Sequence, residues 1–97
     1  MNEELSEAVR VYLGFGTASW PQADTNSLTR RFGNRADQLH EQIGAILNEA
    51  EQFSPDWSKS NLAQATRRAD AHMRKVCPEL TDEAIRAIVW AWSYWNK

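Results

Sequence analysis

The stretch that decides the fold is LTDEAIRAIVWAWSYW, residues 80–95. Thr81 is a residue type preferred at helix N-caps, and the two acidic residues after it lie where the helix dipole favours negative charge. Leu80 and Ile85 stand at the two positions of a hydrophobic staple around that cap. The stretch therefore predicts a helix that begins after Thr81 and continues through the aromatic end of the chain.

The aromatic end of this helix, IVWAWSYWNK at residues 88–97, divides on a helical wheel. One side carries the residues expected in the core, which are Ile85, Ile88, Val89, Trp92 and, near the edge, Trp95. Trp90 and Tyr94 lie roughly 140° and 180° from that side, so the helix is apolar on nearly all of its faces. It is either the buried centre of a bundle or a helix with a second face for a partner, because tryptophan and tyrosine are enriched at interface hot spots.

Helical spacing also organises the N-terminal half of the chain. Four apolar residues recur at the spacing i, i+3, i+4, i+7 and predict a first helix over residues 3–13: Leu5, Ala8, Val9 and Tyr12. The stretch GFGTASWPQ, residues 14–22, interrupts the pattern, and we expect a turn that folds Phe15 and Trp20 back onto the core. Asp24 can cap a short second helix, which ends at Gly33.

Two longer helices are predicted next. The third has Asn34 as its expected cap and an apolar stripe formed by Leu39, Ile43, Ile46, Leu47, Ala50 and Phe53, with Asp37, Glu41, Asn48 and Gln52 opposite. The segment SPDWSKS, residues 54–60, is a connection in which Ser58 or Ser60 is the expected cap of the fourth helix. That helix carries Leu62, Ala65, Ala69, Met73 and Val76 on one side, and Pro78 ends it.

The resulting fold class is all-α, because no run of alternating β-branched and polar residues predicts a strand. We expect a single domain over residues 1–97, a compact bundle of four to five helices with an aromatic-rich C-terminal helix. The lone Cys77 permits no intrachain disulfide, and the acidic N-terminus differs from a secretory signal. No apolar run approaches the roughly 18 residues of a membrane span, so a cytoplasmic protein without a membrane partner is expected.

Catalytic and metal-binding patterns are not found in the sequence. His40 and His72 lie on different helices at the border of each apolar stripe, where we expect the rings to pack rather than to act as bases. Cys77 stands at the negative end of a helix, which disfavours the thiolate. The glycines at 14 and 16 follow no strand and precede no lysine, unlike a phosphate-binding loop. We therefore expect no enzyme, no catalytic residue, no metal site and no cofactor.

Charge is distributed unevenly although the formal net charge is only −2. Residues 1–53 carry eight acidic and four basic side chains, and residues 54–97 carry five acidic and seven basic ones. The acidic half could face a basic partner, or the two halves could compensate each other within the domain. Asp37 and Glu41 on the third helix, together with Trp90 and Tyr94, are the candidate residues of a protein interface.

A basic face on the fourth helix supports the alternative of nucleic-acid binding. It consists of Arg67, Arg68, Arg74 and Lys75, with a further basic group near Gly33 formed by Arg30, Arg31 and Arg35. The second and third helices resemble a helix-turn-helix only in outline, because the third exposes acidic residues where phosphate contacts would be needed. Asp70 is also placed to pair with Arg74 at i+4. Without net positive charge, nucleic acid is the less favoured partner.

Three stretches resemble segments of small helical bacterial proteins of unknown function: LGFGTASWP at 13–21, PDWSKS at 55–60 and PELTDEAI at 78–85. The resemblance implies an all-α bacterial cytoplasmic protein and implies no activity or cofactor. Together with the surplus of aromatic residues, it leads us to expect a non-enzymatic protein-binding module. An immunity protein or antitoxin that binds a toxin domain is its most specific form, self-association is a second form, and a small nucleic-acid-binding regulator is the alternative.

Overall fold

The computed structural model describes residues 2–53, 58–59 and 61–95. Over these residues the chain forms five α-helices and one 3₁₀ turn. The helices are α1 (Glu3–Leu13), α2 (Thr25–Phe32), α3 (Ala36–Gln52), α4 (Leu62–Val76) and α5 (Asp82–Trp95), with the 3₁₀ turn at Gly33–Arg35 between α2 and α3. The all-α fold class is confirmed, and α1 has the bounds predicted from its apolar spacing.

Side-chain caps fix the starts of α2 and α5. The Asp24 carboxylate accepts a hydrogen bond from the backbone N–H of Ser27 at the start of α2, as predicted. The Thr81 hydroxyl accepts one from the N–H of Ala84 at the start of α5, and Leu80 and Ile85 are both buried beside it. The staple and cap read from LTDEAI are therefore confirmed.

Two predicted caps are wrong. Asn34 lies inside the 3₁₀ turn, and α3 begins after Arg35 without a side-chain cap, because the turn continues almost directly into the helix. The cap of α4 is Asn61, which forms a reciprocal capping box with Gln64, so the serine at 58 lies in the preceding turn. The other predicted cap, Ser60, lies outside the described residues, as does most of the connection SPDWSKS.

The centre of the bundle is α5, whose neighbours are α1, α3 and α4. Hydrogen bonding between Thr81 and Ser6 joins the starts of α5 and α1, and ring contact between Trp90 and Phe15 joins their ends, so these two helices run in the same direction. The short turn at 77–81 makes α4 antiparallel to α5. The described part of the molecule measures 45 × 26 × 19 Å, which is about two helix diameters thick.

Burial follows the predicted stripes with exceptions at their ends. The core includes Val9, Leu13, Leu39, Ile43, Met73, Ile85, Ile88 and Trp92. Val76 was expected in the core but is 39% exposed, because α4 packs chiefly on α5 and its last residue passes beyond that contact. Trp20 was expected to fold back and is 56% exposed, whereas Phe15 from the same turn is half-buried. No helix in the described ranges is long and apolar enough to cross a membrane.

Candidate interaction surfaces

The last turn of α5 is the first candidate surface, and it answers the question raised by the aromatic cluster. Trp92 is buried, while Trp90 is half-buried with its ring centroid 5.5 Å from that of Phe15. Tyr94 is 41% exposed and Trp95 is 48% exposed. The placement of Trp95 in the core was wrong, because α5 extends beyond the helices that cover its first three turns.

The end of α3 reaches the same end of the molecule. The ring of Phe53, the residue that follows α3, lies 5.7 Å from the ring of Trp92. This contact covers Trp92. Tyr94 and Trp95, which follow it in the last turn of α5, remain on the surface. We call Tyr94 and Trp95, with the half-buried Trp90, the aromatic end of α5.

The outer face of α3 is the second candidate surface. Asp37, Glu41 and Glu51 are exposed on it, and within the described part of the chain none of the three forms an ion pair. We call these three residues the acidic face of α3. Asp37 and Glu41, the two predicted interface residues on this helix, are therefore accessible. They lie near the start of α3, whereas the aromatic end of α5 lies near the end of α3.

Several carboxylates on α1 and α5 form ion pairs with arginines. On α1, Glu4 pairs with Arg35 and Glu7 with Arg31. On α5, Asp82 pairs with Arg74 and Arg86, and Glu83 pairs with Arg10. Most of these pairs join residues of the same half of the sequence, so the basic C-terminal half does not compensate the acidic face of α3.

The basic face of α4 is less basic in the structure than in the sequence. Arg74 donates to the carboxylates of Asp70 and Asp82, and these bonds raise the pKa of its guanidinium above the usual arginine value. The predicted pairing of Asp70 with Arg74 is confirmed. Arg67, Arg68 and Lys75 are exposed. Of these, Arg67 and Lys75 form no ion pair within the described residues, so fewer cations are available here than the sequence suggests.

The basic group near Gly33 is dispersed into separate contacts. Arg31 and Arg35 form the ion pairs with α1 described above, and Arg30 donates to the hydroxyl of Ser27 at 2.9 Å. The two ion pairs fasten α2 and the 3₁₀ turn to α1, whereas the Arg30 contact stays within α2. The sequence did not reveal the two ion pairs because their partners are more than 20 residues apart.

Both histidines pack against aromatic rings. His72 stacks on Phe53 with centroids 5.2 Å apart, and its Nε2 lies 3.4 Å from a carboxylate oxygen of Glu49. His40 lies 5.4 Å from the ring of Tyr12. The expectation that these rings pack at the edges of the apolar stripes is confirmed.

Cys77 is buried, and burial is the largest cause that raises the pKa of its thiol, followed by the charges of Glu79 and Glu49. The neutral thiol is the less nucleophilic form. Over the described residues, no group of three or more histidine, cysteine, aspartate or glutamate side chains could hold a metal ion.

Two open clefts flank α1, and neither was found from the sequence. One, of ≈ 640 Å³, lies between the first turns of α1 and α5 and is lined by acidic residues and Arg10. The other, of ≈ 480 Å³, lies between α1, the turn after it and α2. Ion pairs border both clefts, including Glu7 with Arg31 and Glu83 with Arg10.

The chain matches no protein-family model, no curated protein and no solved structure. The proposed function therefore rests on the aromatic end of α5, the acidic face of α3 and the basic face of α4.

Proposed function

We propose that the chain is a non-enzymatic protein-binding module of the bacterial cytoplasm, and specifically an immunity protein or antitoxin that occupies a toxin domain. The observation that carries the proposal is the exposure of Tyr94 and Trp95 at the end of a helix whose earlier turns are buried. Large aromatic side chains left in water by the fold are the residues that most often supply binding energy at interfaces.

The two exposed rings can supply a substantial part of the energy of a specific complex. Tyrosine and tryptophan can each bury 150 to 250 Å², so the exposed part of each ring here is about 100 Å². At about 25 cal/mol per Å², burial of both would contribute roughly 5 kcal/mol before the costs of association. In protein interfaces generally, polar residues around such an aromatic anchor orient the two partners.

The acidic face of α3 indicates the chemistry of the partner. Three carboxylates without internal partners attract a basic surface and repel an acidic one. The nucleic-acid-binding site of a nuclease is basic, so a nuclease toxin is the class that fits Asp37 and Glu41. The packed histidines and the buried thiol support a binding role over a catalytic one.

Affinity capture tests the proposal. The tagged chain and the variant Tyr94→Ser/Trp95→Ser are each incubated with a lysate of the source organism. The control is Val76→Ser, which removes an exposed apolar side chain at the end of α4, away from the aromatic end of α5. We expect one basic protein to be retained by the wild type and the control and lost with the double variant. Equal retention by all three would overturn the proposed surface.

The antitoxin form of the proposal needs a second readout. The captured protein is expressed alone and together with the chain, and growth is compared. We expect growth arrest that co-expression relieves and that the Asp37→Lys/Glu41→Lys variant relieves less well. A captured protein that is harmless when expressed alone would exclude a toxin while leaving protein binding in place.

Nucleic-acid binding is the alternative function, and the exposure of Arg67, Arg68 and Lys75 along one helix favours it. Each phosphate contact by such a cation makes affinity fall with added salt. A gel shift at low salt that disappears in Arg67→Glu/Lys75→Glu would support this alternative. Failure to shift any probe at low salt would remove it.

A further inference from the structure

The outer face of α4 has the opposite charge to the outer face of α3. Arg67 and Lys75 are exposed on α4, and within the described ranges neither forms an ion pair. They are eight residues apart, which on a helix is about 12 Å along the axis and about 80° around it. Ala71 lies between them and is exposed.

The outer face of α3 repeats this arrangement with carboxylates. Glu41 and Glu51 are ten residues apart, which is about 15 Å along the axis and again about 80° around it. Gly44 and Asn48 lie between them, and a Cβ built on Gly44 would meet nothing within 4 Å. Another helix can therefore come close to the middle of this face.

The two faces are similar in length and width and opposite in charge. Each has a charged residue at either end and small or short side chains between, and the long arginine and lysine side chains bridge the difference of about 3 Å in spacing. The named residues of both faces are exposed, and the contact between α3 and α4 within the molecule lies elsewhere, at Glu49 and His72.

We propose that the chain self-associates by placing the basic outer face of α4 of one copy on the acidic outer face of α3 of a second copy. The inference shares Glu41 with the surface proposed for a toxin, so the two partners would compete for the acidic face of α3, and self-association is tested with the purified chain alone. Exposed ion pairs each contribute little, which makes the association weak and dependent on salt.

Sedimentation velocity of the purified chain over a range of concentrations tests the proposal. At about 0.01 M salt, where charges act over roughly 30 Å, we expect the mean sedimentation coefficient to rise with concentration. At about 1 M salt, where the range is roughly 3 Å, it should stay at the monomer value. A monomer at every concentration in low salt, or association that salt does not weaken, would overturn the proposal.

Variants with reversed charges test whether the outer face of α3 contacts the outer face of α4. Glu41→Lys/Glu51→Lys and Arg67→Glu/Lys75→Glu should each weaken association by about tenfold, because attraction becomes repulsion at two contacts. An equimolar mixture of the two variants should restore it, since each then offers the complement of the other. No restoration in the mixture would contradict the pairing of α3 with α4.

Matched controls carry the same net charges at other exposed positions. Glu3→Lys/Glu79→Lys corresponds to the first variant, and Arg30→Glu/Lys59→Glu corresponds to the second. We expect the controls to associate like the wild type and their mixture to gain nothing. If they weaken association as much as the face variants, net charge rather than the two faces is responsible, and the proposal fails. Circular dichroism of each variant verifies that its helices are intact.

Discussion

The ring of Phe15 packs against the ring of Trp90 with centroids 5.5 Å apart, and this contact separates two aromatic residues that share one side of α5. Trp90 joins the packed part of the molecule through Phe15. Tyr94, one turn later, has 41% of its surface exposed. The two residues therefore lie in different environments, and we expect Trp90 to contribute more to stability than Tyr94.

Replacement of Trp90 by serine should destabilise the fold. Trp→Ala in a full core costs about 3–5 kcal/mol, and because Trp90 is half-buried we expect a loss of about 2 kcal/mol in the free energy of unfolding. Tyr94→Ser should cost less than Trp90→Ser, since Tyr94 is the more exposed of the two residues. Urea unfolding followed by circular dichroism measures both. Equal losses would mean that the two residues are packed alike.

The helical wheel could predict which side of α5 is buried but not where burial ends along the helix. Trp92 and Trp95 fall close together on the wheel, yet Trp92 is covered by Phe53 and Trp95 is 48% exposed. Coverage at the end of a helix depends on how far its neighbours extend, which is set by tertiary packing. Val76 at the end of α4 was misplaced for the same reason.

Ser6 is the second residue whose replacement should be costly. It is 2% exposed, its hydroxyl donates to the carbonyl of Asn2 at 2.7 Å, and it accepts from the N–H of Thr81 at 2.9 Å. Ser6→Ala leaves that N–H without its acceptor at the junction of α1 and α5. We expect a loss of about 1–3 kcal/mol by urea unfolding.

The matched control for this change is Ser19→Ala, at an exposed position in the turn after α1. It should leave the unfolding midpoint unchanged. A midpoint for Ser6→Ala that equals the control would show that the hydroxyl contributes nothing to the junction.

Acid should destabilise the fold through Asp24 and Asp82. Hydrogen bonds from Ser27 lower the pKa of Asp24, and a hydrogen bond from Arg74 lowers that of Asp82, both below the ordinary value of 3.8. The unfolded state therefore binds protons at a higher pH than the folded state, so these contributions are present above pH 3.8 and are lost as the pH falls below it.

Urea unfolding between about pH 5 and about pH 2 measures this dependence. Asp82→Asn should lower stability at pH 5 and make the decline with acid shallower. A decline as steep as that of the wild type would show that Asp82 does not contribute to it.

The contribution of the capping box at the start of α4 to the free energy of unfolding can be measured separately. Asn61 accepts from the N–H of Gln64 at 2.9 Å, and its own N–H donates to the Gln64 side chain at 3.2 Å. Asn61→Ala should cost about 1 kcal/mol. Asn61→Asp retains the acceptor, so it should preserve most of the stability, and a loss equal to that of alanine would contradict this account of the cap.

The candidate surfaces were predictable in part. The acidic residues of α3 and the basic residues of α4 follow from helical spacing, which places Asp37 and Glu41 opposite the apolar stripe. Which charges remain available does not follow from it, because Arg74 pairs with Asp82 and Arg10 pairs with Glu83 across different helices. That Asp37 and Glu41 form no ion pair within the described residues depends on where the arginines of the other helices lie, which helical spacing does not give.

Titration of the captured protein into the purified chain tests the central claim, that the aromatic end of α5 is a binding surface, most directly. Tyr94→Ser/Trp95→Ser should raise the Kd by at least about 100-fold, as expected for two hot-spot residues that each lose about 2 kcal/mol, and should leave the unfolding free energy within about 1 kcal/mol of the wild type. Val76→Ser should bind like the wild type. A Kd unchanged in the double variant would contradict the claim.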